Sequence, residues 1–208
     1  MPTLYNRIQG RNTDRLAALS DGIFAVAMTL LVLDLHIPTA GQVHGEGELL
    51  RALGALGPQW LAYGMSFLTL GIFWAGQQTQ LNHIREGSRD LTWIHLGFLF
   101  TITLLPLSTR LLAEFITYRS ALLLYWLNIL APGVMLYWSW KYVTRAGLLK
   151  DDTPYEVSES ICKRVVVAQS LYAVGAAFCV INTWVSIAAI VLVQLNYALA
   201  PGRGRGSK

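Results

Sequence analysis

Charge is scarce in this chain. Lys, Arg, Asp and Glu make up 13% of its 208 residues, about half of the roughly 25% usual in a soluble domain. Hydrophobic residues make up 54%. That imbalance excludes an ordinary soluble domain and points to a polytopic membrane protein. The net charge of +4 is small, and a membrane protein places Lys and Arg on its cytoplasmic side. With no alternating basic and aromatic stripe, a nucleic-acid partner is not expected. Cysteine is nearly absent too. Cys162 stands beside Lys163 and Arg164, and Cys179 lies in an apolar run. They have neither disulfide nor zinc spacing, so they read as two free thiols. A nucleophile–base pair, a metal motif and a phosphate-binding glycine loop are all missing, so neither an enzyme nor a cofactor is expected. No helix centre carries Asp, Glu, Lys, Arg or His, which argues against a coupled secondary transporter or exporter, the alternative reading. There is no Thr-Val-Gly-Tyr-Gly run to build a carbonyl filter, and no internal repeat.

What the sequence does have is six apolar segments, which predict an all-α membrane protein of six transmembrane helices. Their expected bounds are about 15–37, 58–78, 91–109, 120–142, 163–181 and 184–199. Pro38 and the Gly-rich stretch 41–47 should end the first helix. An interfacial turn from Leu49 leads into the second, and Pro106 falls in the last turn of the third. Pro132-Gly133 predicts a kink in the fourth, whose end carries Tyr137, Trp138, Trp140 and Tyr142, an aromatic belt. Residues 144–159 read as a soluble linker, and Asn182-Thr183 as a tight turn. The whole reads as one domain, 1–200, with a polar lead-in over 1–14 and a disordered basic tail over 201–208. A cleaved leader is not expected: Ala25-Val26-Ala27 imitates a cleavage site, but the apolar run continues to Leu33 and Asp21 interrupts it. Six helices put both termini on one side. All 16 basic residues except Arg51, Arg110 and Arg119 then share that side, so both ends are expected in the cytoplasm and the chain in the plasma membrane.

The first helix is the most informative. On a helical wheel Leu30 and Leu33 fall close to Val26, with Thr29 on the flank, while Ser20 and Asp21 point away. Any membrane helix has some apolar stripe, so the stripe alone favours lipid or packing surface. The polar patch says more, because an acid inside a membrane helix needs a partner. The second helix descends to the same depth with Trp74, Gln77 and Gln78, and the third rises from it with Trp93 and His95. A cluster of Arg15, Ser20, Asp21, Trp74, Gln77, Gln78, Trp93 and His95 is therefore expected, and its expected role is to orient the first helix. Asp34 and His36, at the outer end, read first as interfacial residues. A ring of Asp34 in an oligomer would concentrate cations there.

The run Arg15-Leu-x-Ala-Leu19-Ser20-Asp21-Gly22-Ile-Phe-Ala-x-Ala-x-Thr29-Leu30-Leu31-Val32-Leu33 resembles the signature of the transmembrane protein 175 family of endosomal and lysosomal potassium channels and its prokaryotic relatives. Leu19 stands where the family's Phe-Ser-Asp has Phe. Phe73-Trp74 agrees as well, with Gln77 and Gln78 where relatives often have His. So do Trp93 and the run Leu104-Leu105-Pro106-Leu107-Ser108-Thr109. The resemblance implies six helices per repeat and a pore lined by the first. This chain, with one repeat, is similar to the prokaryotic form, a homotetramer. The resemblance further implies potassium conduction in preference to sodium, with protons also passing, through a pore narrowed by aliphatic side chains instead of a carbonyl filter. By offset from Ser20-Asp21 the constriction maps to Val26 and Leu33, with Leu30 beside them and Thr29 as the pore hydroxyl, the face that the wheel picks out.

Overall fold

Several helix boundaries have an identifiable chemical cause. In the computed structural model, which describes residues 13–39, 41 and 43–199, helix α1 is Thr13–Leu33. It stops four residues short of the expected Ile37. The His36 amide donates 2.9 Å to Gln59 Oε1 rather than continuing the helix ladder, and Pro38 disfavours helical geometry in the residue before it. Asp34 and His36 therefore lie beyond the helix. The stretch read as a loop with an interfacial turn contains a ten-residue helix, α2 (Glu46–Ala55), none of whose residues is buried. Helix α3 (Gly57–Asn82) opens with Pro58 in its first turn, where a missing N–H costs nothing.

The third apolar segment is two helices end to end, α4 (Arg89–Thr103) and α5 (Leu105–Glu114). Ser88 caps α4 by accepting from the Leu91 amide at 3.2 Å. Pro106 belongs to the first turn of α5 rather than the last turn of its predecessor. Lacking an N–H, it interrupts the ladder at Leu104, and a new helix starts where proline is tolerated. Helix α6 (Arg119–Ala146) runs unbroken through Pro132 and ends on Gly147 at φ 67°, the left-handed conformation that glycine adopts without strain. Helix α7 (Tyr155–Ala177) begins eight residues before the expected position and passes through a 3-10 turn, Phe178–Val180. Half of the expected linker is thus helical. Its remainder pairs with the α3–α4 loop: the Arg85 amide donates to Leu148 O at 2.9 Å, the Lys150 amide to His83 O at 3.0 Å, and Arg85 contacts Asp151 at 3.2 Å. Helix α8 (Thr183–Leu199) is capped by Asn182 Oδ1, 2.7 Å from the Trp184 amide, which makes the expected tight turn.

The described residues contain no strand, only an isolated bridge between Ile84 and Leu149. The fold is an all-α, multi-pass membrane bundle. Four spans are long and apolar enough to cross a bilayer: Thr13–Leu33, Arg89–Glu114, Arg119–Ala146 and Tyr155–Val180. Helix α8 is shorter and apolar. Helix α3 is long enough, with 26 residues, but carries buried Ser66, Thr69, Gln77 and Gln80, which lower its hydropathy. Inside the bundle those groups are bonded to other helices, so burial in lipid does not leave them bare. Helix α1 packs on α3, α4 and α5; α3 also packs on α8, α4 on α6, and α7 on both α6 and α8. The core lies between, around Phe24, Leu70, Phe98, Tyr125 and Ile190. The expected lead-in, apart from its last two residues, and the expected basic tail lie outside the described residues.

Candidate pore helix and its polar anchor

The spacing of side chains along α1 gives it two faces. Leu16, Ser20, Phe24, Ala27 and Leu31, three or four residues apart, are buried against the bundle. On the other side Val26, Leu30 and Leu33 are 57%, 43% and 75% exposed. The three aliphatic residues expected on the wheel are thus left uncovered by the rest of the chain. A shallow groove passes Leu19, Gly22, Val26 and Leu30 and reaches Thr103 at the end of α4. Thr29 is exposed on the flank, and its hydroxyl donates 2.9 Å to Val26 O, leaving its lone pairs outward. Beyond the helix, Asp34 and His36 line a small pocket with Gln59, Arg110 and Glu114.

The polar residues expected as one cluster form two groups flanking α1. One is buried: Ser20, Gln77 and His95. Ser20 Oγ donates to Leu16 O at 2.7 Å and lies 2.7 Å from His95 Nε2 and 3.0 Å from Gln77 Nε2. A hydroxyl has one proton and two lone pairs. With its proton on Leu16, Ser20 accepts from both neighbours, which puts the His95 proton on Nε2. The 3.2 Å contact between Gln77 Nε2 and His95 Nε2 then sets donor against donor, and Gln77 Oε1 is buried without a partner. The His95 ring packs on Phe98 at 5.9 Å.

The other group is exposed. Asp21 Oδ1 accepts from Trp74 Nε1 and Gln78 Nε2, both at 2.8 Å. Arg15 is exposed in the first turn of α1. Trp93 does not join either group and is 64% exposed. It precedes His95 by two residues, about 200° around α4, so the two cannot share a face.

A third polar network was not anticipated from the sequence. Thr109 Oγ1 donates to Ser66 at 2.6 Å, Ser66 to Tyr125 Oη at 3.1 Å, and Gln194 Nε2 to Thr69 at 2.8 Å, all buried. It ties α3 to α5, α6 and α8. Its signal is present in the sequence as Ser66 and Thr69, three residues apart within an apolar run. Among the described residues no group of His, Cys, Asp and Glu is placed to hold a metal.

The family model of the endosomal/lysosomal potassium channel TMEM175 matches residues 15–106, which run from the first turn of α1 through α2, α3 and α4 to the start of α5. A potassium channel of Streptomyces collinus is 36% identical over 141 residues, covering 66% of this chain and 67% of its own. The chain belongs to the TMEM175 family. A potassium channel of Chamaesiphon minutus is 29% identical over 191 residues, covering 90% of this chain and 94% of that one. The crystal structure of a lysosomal potassium-selective channel TMEM175 homolog from Chamaesiphon minutus superposes with a TM-score of 0.78 at 27% identity, covering 90% and 97% of the two chains. The mouse endosomal/lysosomal proton channel TMEM175 is 35% identical over 107 residues, which is 49% of this chain but 21% of that protein. This is a family of cation channels and not of enzymes, and the chain is a membrane protein built on the family's fold.

Proposed function

We propose that this chain forms a potassium-conducting channel whose pore is lined by α1 and narrowed by Val26, Leu30 and Leu33. The observation that carries the reading is the uncovered apolar face of α1, backed by the buried Ser20–Gln77–His95 group on its other side. A helix anchored by hydrogen bonds on one side and bare on the other is suited to meet copies of itself around an axis. Four copies make stacked aliphatic rings that resist ions by dewetting, with no carbonyl filter. Thr29 adds the hydroxyl next to them, and Asp34 stands at the outer mouth. The chain serves as one six-helix unit, residues 1–200, of a homotetramer in the plasma membrane. Its excess of basic residues on the side of the termini supports a cytoplasmic location for both. Bacterial relatives are named potassium channels and animal ones proton channels, which supports potassium as the main ion with proton passage beside it.

The purified protein in vesicles carrying an outward potassium gradient tests the reading. Potassium flux with a reversal potential that follows potassium is expected. Flux that requires a second ion or substrate indicates a transporter, and absence of flux at confirmed reconstitution indicates a non-conducting scaffold; either refutes the channel.

A further inference from the structure

Away from α1, the bundle is left open between α3 and α7. Helix α3 packs on α1, α5 and α8, and α7 on α6 and α8. Between the two a cleft of about 170 Å³ remains, walled by Ile72 and Phe73 of α3, Leu136 of α6, and Val165, Ala168 and Tyr172 of α7. At one end stand Thr79 and Gln80, in the last turn of α3, and Arg164. Residues 165–181 carry no charge and span roughly 25 Å as helix, so Arg164 is the first charge at the edge of the apolar run. Its guanidinium lies over the Tyr197 ring at 5.6 Å, and among the described residues no carboxylate is within ion-pairing distance of it.

We infer that this cleft is a binding site for an anionic membrane phospholipid, one acyl chain lying between α3 and α7 and the phosphate on Arg164. The occupant follows from depth and charge. In a multi-pass protein this surface faces either lipid or another copy. At membrane depth a cleft walled mostly by apolar side chains is poorly suited to water and offers an acyl chain the dispersion contacts that fill it. An unpaired cation at the edge of the apolar run matches a phosphate at headgroup depth, and no acidic side chain in the cleft wall competes for it. The Arg164–Tyr197 stack holds that cation in place, linking the lipid to α8 as well as α7.

Native mass spectrometry of the delipidated full-length protein, titrated with phosphatidylglycerol or phosphatidylcholine, tests this. Phosphatidylglycerol should be retained several-fold better. Arg164→Gln should reduce that preference about fivefold, in line with one cationic side chain at a membrane surface. Ala75 is exposed and lines the cleft, so Ala75→Phe should fill it and lower retention of both lipids while the protein still assembles. A photoactivatable phosphatidylglycerol should label residues 161–172. Equal retention of the two lipids by the parent, or an unchanged preference in Arg164→Gln, overturns the site. So does a photo-crosslink from a benzoylphenylalanine at position 75 to a second copy of the chain.

Discussion

Ser20→Ala is the sharpest probe of how α1 is held. Ser20 has 0% exposure, and its hydroxyl makes three contacts, with Leu16 O, His95 Nε2 and Gln77 Nε2. Alanine removes the common acceptor and leaves two buried donors. Each buried donor left bare costs about 1–3 kcal/mol, which sets an upper bound of roughly 6 kcal/mol. Two facts lower it. Helix-to-helix hydrogen bonds in membranes average only about 0.6 kcal/mol, because the reference state also finds partners. And Gln77 Oε1 is unpartnered, so rotating the amide by half a turn sets an acceptor opposite the His95 proton across the existing 3.2 Å contact. One donor is rescued and one remains, for a net loss of about 2 kcal/mol, or a fall in melting temperature of about 4–8 °C for a chain of this size. Thermal unfolding of the detergent-purified protein, read by tryptophan fluorescence, measures it. Gln77→Leu in the Ser20→Ala background removes the bare amide together with the rescue and still leaves one bare donor, His95 Nε2–H, so the transition should stay close to that of Ser20→Ala. Asp21→Ala is the contrast. Its partners Trp74 and Gln78 meet it at an exposed edge, where water can replace a lost acceptor in the isolated subunit, so its shift should be the smaller. If Ser20→Ala melts within about a degree of the parent, or Asp21→Ala melts lower than Ser20→Ala, the buried group does not anchor α1 as argued.

Other substitutions separate the pore from its support. Val26→Asn should wet the ring and raise conductance with weaker selectivity, while Val26→Phe should block it; equal currents from both and from the parent at matched protein density would remove α1 from the conduction path. Thr29→Val deletes an outward hydroxyl at nearly constant shape and should lower potassium preference over sodium without stopping current, read as the reversal potential in mixed ions. An unchanged reversal potential assigns selectivity to the aliphatic rings alone. Gly147→Ala forces a side chain into φ 67° with no neighbour to clash against, so its cost is backbone strain of about 1 kcal/mol. It should lower the melting temperature by about 2–4 °C and leave currents unchanged.

The sequence alone was enough for whatever depends on period and composition. Six apolar runs, the two faces of α1 and the depth shared by Ser20, Asp21, Gln77 and Gln78 follow from 3.6 residues per turn and from the expense of polar groups in lipid. Some errors of detail were also local: a strict wheel would have separated Trp93 from His95. What only the tertiary structure decided depends on residues far apart in the chain. Helix α1 ends at Leu33 because Gln59, 23 residues on, takes the His36 amide. The polar face of α3 is stable in a membrane because Tyr125 and Gln194, from helices encoded much later, reach Ser66 and Thr69. In each case the backbone or side-chain polar group has more than one possible partner, and the choice among them is made by which helix arrives beside it, which no local window of sequence contains.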